Sequence, residues 1–287
     1  MFNQPPDSDK HPLEEKPRRK LHPLEEPPPP TPEPREPRRQ VKLKIPIVKP
    51  LATYVLLAAN IAIYVLGFLV PSLDLLPWGA TSVRTVLESG EYYRLIAAMF
   101  LHASPQHIFF NMSALYFIGT ALEPIFGNIR FAIIYLMGGL AGSILSVGMS
   151  ALTGSNAASV GASGAVFAIF GAEMIYLYRH RAMLGQRGQD QFRNLLFLLG
   201  VNFLIGIVST VEGAGVRIDN WAHLGGLLGG LFLTWMAGPI FIVQQDPQKP
   251  DQFTADDLNP VENKYWVVSA FLIGLVAALT ILTLIVR

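Results

Sequence analysis

The chain contains no cysteine, which removes disulfides, thiolate metal sites and a cysteine nucleophile together. Charge is scarce as well: Asp, Glu, Lys and Arg make up 15% of its 287 residues, against roughly 25% in an ordinary soluble domain. The formal net charge of +1 leaves no excess of one sign to attract nucleic acid or an acidic partner. No basic tip followed by a short apolar core opens the chain, so the first apolar run is expected to act as its own insertion signal. What fills the sequence instead is hydrophobic residues, 51% of the total, gathered into long runs.

Residues 1–45 are the exception. They hold more than half of the chain's 22 prolines among scattered Glu, Lys and Arg, and cannot bury enough apolar surface to offset their ordering entropy. A disordered cytoplasmic tail is expected, with local polyproline II at Pro27–Pro30. The pentapeptide His11-Pro12-Leu13-Glu14-Glu15 returns at His22–Glu26, as a docking motif or as drift in a low-complexity tail.

A helix crosses a bilayer core with about 17 to 25 apolar residues. That length predicts seven spans: Leu51–Val70, His107–Leu122, Phe131–Leu152, Val160–Tyr178, Asn194–Val211, Ala222–Val243 and Tyr265–Val286. The expected fold is an all-α polytopic membrane bundle. Its divisions are a core over 46–243, a polar linker over 244–264 and an additional helix over 265–287. Arg35, Arg38, Arg39, Lys42 and Lys44 precede the first span, and Arg179, Arg181, Arg187 and Arg193 lie between the fourth and fifth. Both groups place the N-terminus in the cytoplasm. The chain is then an integral, multi-pass protein, with a bacterial inner membrane as the expected setting.

With that topology, Ser163, His223, His107 and Asn111 all fall within a few turns of the external surface, at about 1.5 Å rise per residue. Polar groups are costly inside a membrane and mark function or paired burial. A serine needs a neighbouring base to become a nucleophile, and an imidazole titrates in the range that task requires. Ser163 and His223 are the candidate pair, and no carboxylate stands on a nearby span, so a dyad is expected rather than a triad. Gly161-Ala162-Ser163-Gly164 by itself reads more readily as helix-packing material. Gly226 and Gly230, at helical spacing after His223, are expected to bring the sixth span against the fourth. His107, Asn111 and His223 without carboxylates or thiols make a poor metal site, so neither a metal nor a cofactor is expected.

Four segments in order carry a family resemblance: Gly90-Glu91-Tyr92-Tyr93-Arg94, His107-Ile108-Phe109-Phe110-Asn111, Gly161-Ala162-Ser163-Gly164, and Ala222-His223-Leu224-Gly225-Gly226 continuing to Gly230. From about Leu51 to Ile240 the chain resembles the rhomboid intramembrane serine proteases. The resemblance implies a six-helix catalytic core with a seventh helix appended, and a Ser163/His223 dyad. It implies oxyanion or substrate stabilisation by His107, Asn111 and Gly161, helped by the Ser163 backbone N–H. Phe167 matches an aromatic position that supports the imidazole, and Gly226 matches the helix-contact glycine. One departure is Tyr93 before Arg94, where the family carries tryptophan. The implied partners are transmembrane protein substrates in the lipid bilayer, with no nucleic acid and no metal. The alternative is a non-catalytic rhomboid-like factor for membrane-protein binding or quality control.

Five charged residues and one histidine have local expectations. Glu91 is expected to pair with Arg94, Glu123 with Arg130, and Glu173 to make a structural hydrogen bond. His102 is expected to be structural.

Overall fold

A computed structural model describes residues 42–44, 47–209, 218–246 and 249–287. The tail repeats, Pro27–Pro30 and the predicted end of the fifth span at Val211 lie outside the described residues. The described chain is mostly helical. The long helices are α1 (Leu51–Leu69), α4 (Pro105–Phe126), α5 (Asn128–Leu152), α6 (Ser163–Arg179), α7 (Arg181–Val208), α8 (Asn220–Ala237) and α9 (Tyr265–Val286). Between α1 and α4 runs a long loop, the outer loop of the expected topology, with two short helices, α2 (Leu75–Gly79) and α3 (Arg94–Ala97), and a π-helical turn over Arg84–Glu88.

Five of these helices are long and apolar enough to cross a membrane: α1, α4, α5, α7 and α9, the last taken together with the turn before it. The other two, α6 with 17 residues and α8 with 18, are short and carry polar groups and glycines, because they lie in the middle of the bundle. Every residue from Gly164 to Glu173 on α6 is buried. The outer helices are patterned the opposite way. On α1 the buried residues are Thr53, Leu56 and Asn60, while Leu51, Val55, Leu66, Phe68 and Leu69 are exposed. Apolar side chains on that scale do not face water on a soluble protein. Here they face lipid, and the chain is an integral membrane protein.

Several helix ends follow from local chemistry. Ser104 caps α4, its hydroxyl accepting from the His107 N–H at 3.2 Å, with Pro105 in the first turn. Gly127, at φ +84, turns the chain from α4 into α5. Gly161, at φ +133, keeps the predicted fourth span from starting at Val160 and makes Ser163 the first residue of α6. The basic stretch expected as a loop between the fourth and fifth spans is helical instead. It forms the first turns of α7, broken at Gly185 (φ 57, ψ −142) and held by Gln186 on Asp190. The predicted sixth span stops early, at Ala237, because Gly238 and Pro239 end the helix.

The all-α expectation is corrected at one end of the bundle. Strands β1 (Lys42–Lys44), β2 (Phe241–Asp246) and β3 (Lys249–Asp257) form a sheet in the order β1-β3-β2. β1 runs parallel to β3 and β2 antiparallel to it. The sheet takes in the end of the predicted tail and much of the predicted linker. Arg130 ties the sheet's end to α5, bonding Asp257 at 3.0 Å and the Asn259 carbonyl at 2.6 Å. The expected Glu123–Arg130 pair is therefore not formed. The fully buried Glu123 caps α1, accepting from the N–H groups of Ala52 and Thr53 at 2.7 Å each, from Thr53 Oγ1 at 2.6 Å, and from Asn128. Those α1 donors have no partner within their own helix. Glu123→Ala should thus lower the unfolding free energy by on the order of 3 kcal/mol. Thermal unfolding in detergent measures this, and an unshifted melting point contradicts it.

Candidate active site

Three helices set the site through contacts between small residues. A Cβ on Gly226 would collide with the Gly164 carbonyl, and one on Gly230 with the Ala168 carbonyl, so α8 lies backbone to backbone against α6. Gly142 of α5 faces α8 rather than α6, with the Ala222 carbonyl 2.6 Å from where its Cβ would stand. Gly138 and Gly139 meet Ala168 and Ala165 of α6. Such approaches exclude side chains and let one helix dictate the height of the next.

On this frame, His223 comes one turn into α8 and Ser163 begins α6. Asp219 starts α8 by accepting from the Ala222 N–H at 2.9 Å, and its other oxygen takes the Ser146 hydroxyl of α5. Those two bonds fix the register of His223. No carboxylate is hydrogen-bonded to the imidazole among the described residues, and its Nδ1 is buried without a partner. The ring lies flat on Phe167, centroids 4.1 Å apart and planes 10° from parallel, while Phe203 of α7 meets it edge-on at 6.4 Å. Phe167 is four residues after Ser163, so both project from one face of α6. The imidazole is thereby held beside the serine's face of the helix.

The Ser163 hydroxyl is half-buried and makes no hydrogen bond among the described residues. Catalytic hydrogen bonds are often long in proteins without substrate and tighten only with it. Val166 is the first residue of α6 bonded in helical fashion, to the Ala162 carbonyl at 2.9 Å, and no side chain caps the helix. The N–H groups of Ser163, Gly164 and Ala165 therefore point out of its positive end.

Gly161 has a different part from the one expected of it. Its N–H is already given to the Ala98 carbonyl at 2.8 Å, so it is not a free donor. It provides space instead: His107 Nε2 lies 2.6 Å, and Ser163 Oγ 3.8 Å, from where its Cβ would be. His107 is thus brought to the serine's turn. Asn111 is buried and donates one amide proton to the His107 carbonyl at 3.0 Å, leaving the second amide proton uncommitted. His102, in the loop before α4, packs edge-on against His107 with centroids 5.1 Å apart. Burial, and then the neighbouring His107, pull the His102 pKa down to about 4, so that ring is neutral at pH 7. A polar cavity of about 20 Å³ adjoins Ser163, bounded by Thr81, Ser143 and Ser159, with room for one water.

Glu91 and Arg94 pair as expected, at 2.6 Å, and Glu173 accepts from Gln191 at 2.7 Å. No group of three or more His, Cys, Asp or Glu is arranged to hold a metal among the described residues. Asp219, Ser146 and Phe203 were missed in the sequence. Asp219 had a readable signal, since Asp is a favoured N-cap before an apolar run. Phe203 had none.

The Rhomboid domain family matches residues 89–240. RHOMBOID-like protein 1 of Arabidopsis thaliana is 31% identical over 219 residues, covering 74% of this chain and 53% of its own length. Rhomboid protease GluP of Bacillus subtilis is 34% identical over 190 residues, covering 64% and 34% respectively. The putative rhomboid protease YdcA, also of Bacillus subtilis, is 30% identical over 190 residues, covering 65% and 88%. The matched region thus spans about half the length of the plant relative and a third of GluP. The serine turn, the histidine helix and the loop arginine all fall inside the matched region, and the chain belongs to the rhomboid family.

Proposed function

We propose that this chain is an intramembrane serine endopeptidase that cleaves transmembrane proteins at or beside their spans. The observation that carries the reading is the arrangement of α6 and α8: Ser163 at a helix N-terminus, with the His223 ring stacked one turn below it on Phe167. Ser163 Oγ attacks the substrate carbonyl while His223 takes the hydroxyl proton. The oxyanion is met by the free N–H groups at the start of α6, by His107 and by the second Asn111 amide proton. Donors of this kind are worth roughly 3 kcal/mol each. His223 then protonates the leaving amine, and water hydrolyses the acyl-enzyme after giving its proton to the same ring. The cavity beside Ser163 suits that water in size and polarity.

The proposed topology has seven spans, α1 and α4 to α9, with residues 46–243 as the catalytic core and the tail and sheet on the cytoplasmic side. The basic residues of the α6–α7 region and the strand Lys42–Lys44 favour that orientation. Residence in a bacterial inner membrane is part of the same reading. Substrates are single-span proteins with small or helix-breaking residues near the outer boundary, because a helix in lipid exposes a carbonyl only where its own hydrogen bonds are readily given up.

The test is cleavage of such a reporter in reconstituted liposomes. Wild type should yield two fragments, and Ser163→Ala and His223→Ala none. A wild-type chain that binds the reporter without cutting it establishes the binding-factor alternative instead.

A further inference from the structure

The underside of the outer loop is apolar. Val83, Val86, Leu87 and Leu95 are buried there against Ile144 and Val147 of α5 and against Leu275, Leu279, Leu282 and Val286 of α9. One wall of that floor is thus the helix that lies outside the six-helix core. Polar contacts reinforce it. Arg287 Nε donates to the Leu87 carbonyl at 2.9 Å, an acceptor left open where the π-helical turn ends. Its Nη2 stands 3.0 Å from where a Cβ on Gly90 (φ +77) would be, so the guanidinium lies on the loop's glycine. Thr283 gives its own proton to the Leu279 carbonyl at 2.9 Å, so in the 3.3 Å contact with Tyr92 the phenol donates.

The same loop holds the serine turn from both sides. Thr81 and Ser159 exchange backbone hydrogen bonds of 3.0 and 2.8 Å, and the Gly161 N–H is bonded to Ala98. Within the loop, Arg94 joins Glu91 to the carbonyls of Pro77 (2.6 Å) and Ala80 (3.2 Å), next to Thr81. Hydrogen bonds joined by short stretches of loop backbone therefore run from the end of α9 to Ser159 and Gly161, just before Ser163. We propose that α9 clasps the outer loop and so holds the Ser163 turn in its reactive geometry, with Arg287 and Thr283 as positioning residues. This inference rests on the protease reading above.

The test compares Arg287→Ala, Arg287→Lys and Thr283→Val in the full chain. Four quantities are read: amide hydrogen exchange over residues 82–92, kcat and KM for a transmembrane reporter, and the melting temperature. Arg287→Ala should speed exchange in that segment about tenfold and lower kcat about tenfold, with KM and melting temperature near wild type. Thr283→Val should move both in the same direction. Arg287→Lys, which keeps a donor for the Leu87 carbonyl, should restore both. Wild-type exchange and kcat in Arg287→Ala overturn the clasp. So does a kcat loss that merely follows the melting temperature and is not rescued by lysine. A wild-type chain that cleaves nothing defeats the protease reading, and unchanged exchange in Arg287→Ala then overturns the clasp independently.

Discussion

Ser163→Ala and His223→Ala should each lower turnover of a transmembrane reporter by about 10⁴-fold or more, and the double variant should be no slower than either single one. A serine without its base and a base without its serine are equally inert, so the second loss removes nothing further. Neither substitution touches the helix contacts that hold the bundle. The Ser163 hydroxyl makes no hydrogen bond among the described residues, and His223 loses chiefly its stacking on Phe167. Melting temperatures should therefore stay near wild type. Losses that multiply in the double variant would mean that the two residues act separately and that no dyad exists.

The second large effect belongs to a residue with no chemistry of its own. Gly226→Ala places a methyl group against the Gly164 carbonyl, on backbone that cannot move aside as a side chain would. Overpacking of this kind costs about 1–3 kcal/mol. The functional loss should be larger, because α8 must move away from α6 and takes His223 with it. Misplacing a catalytic group by about 1 Å can cost 100-fold, and a kcat reduction of that order is expected with KM little changed. Circular dichroism and kcat on the same preparation separate the two effects. Full activity in Gly226→Ala would show that the close helix contact is not what places the imidazole.

The contrast between these variants follows what could be read in the sequence. The long helices were legible because lipid demands unbroken apolar runs, and α9 begins and ends where the run does, at Tyr265 and Val286. Ser163 and His223 were legible because a polar side chain stands out against such a background, and Gly226 and Gly230 announced a close helix contact. Asp219, by contrast, was legible at most as an N-cap before the run, and its bond to Ser146 of α5 exists only in three dimensions. The sheet was not legible, since its pairing joins residues 42–44 to residues 249–257 across the whole bundle. Glu123 was assigned to Arg130 by proximity along the chain. It turned instead to the donors of α1, some seventy residues away. The space that Gly161 provides was not legible, because His107, which fills it, comes from another helix and meets it only in three dimensions.

Reaction of the detergent-solubilised chain with a fluorophosphonate, with the adduct located by tandem mass spectrometry, tests the dyad most directly. A Ser163/His223 dyad should give a single phosphonylated residue, Ser163, in wild type, and no adduct in His223→Ala, which keeps the hydroxyl but lacks its base. An adduct on another serine, equal labelling of the His223→Ala variant, or no labelling of a folded wild type beside a reactive control protease contradicts it.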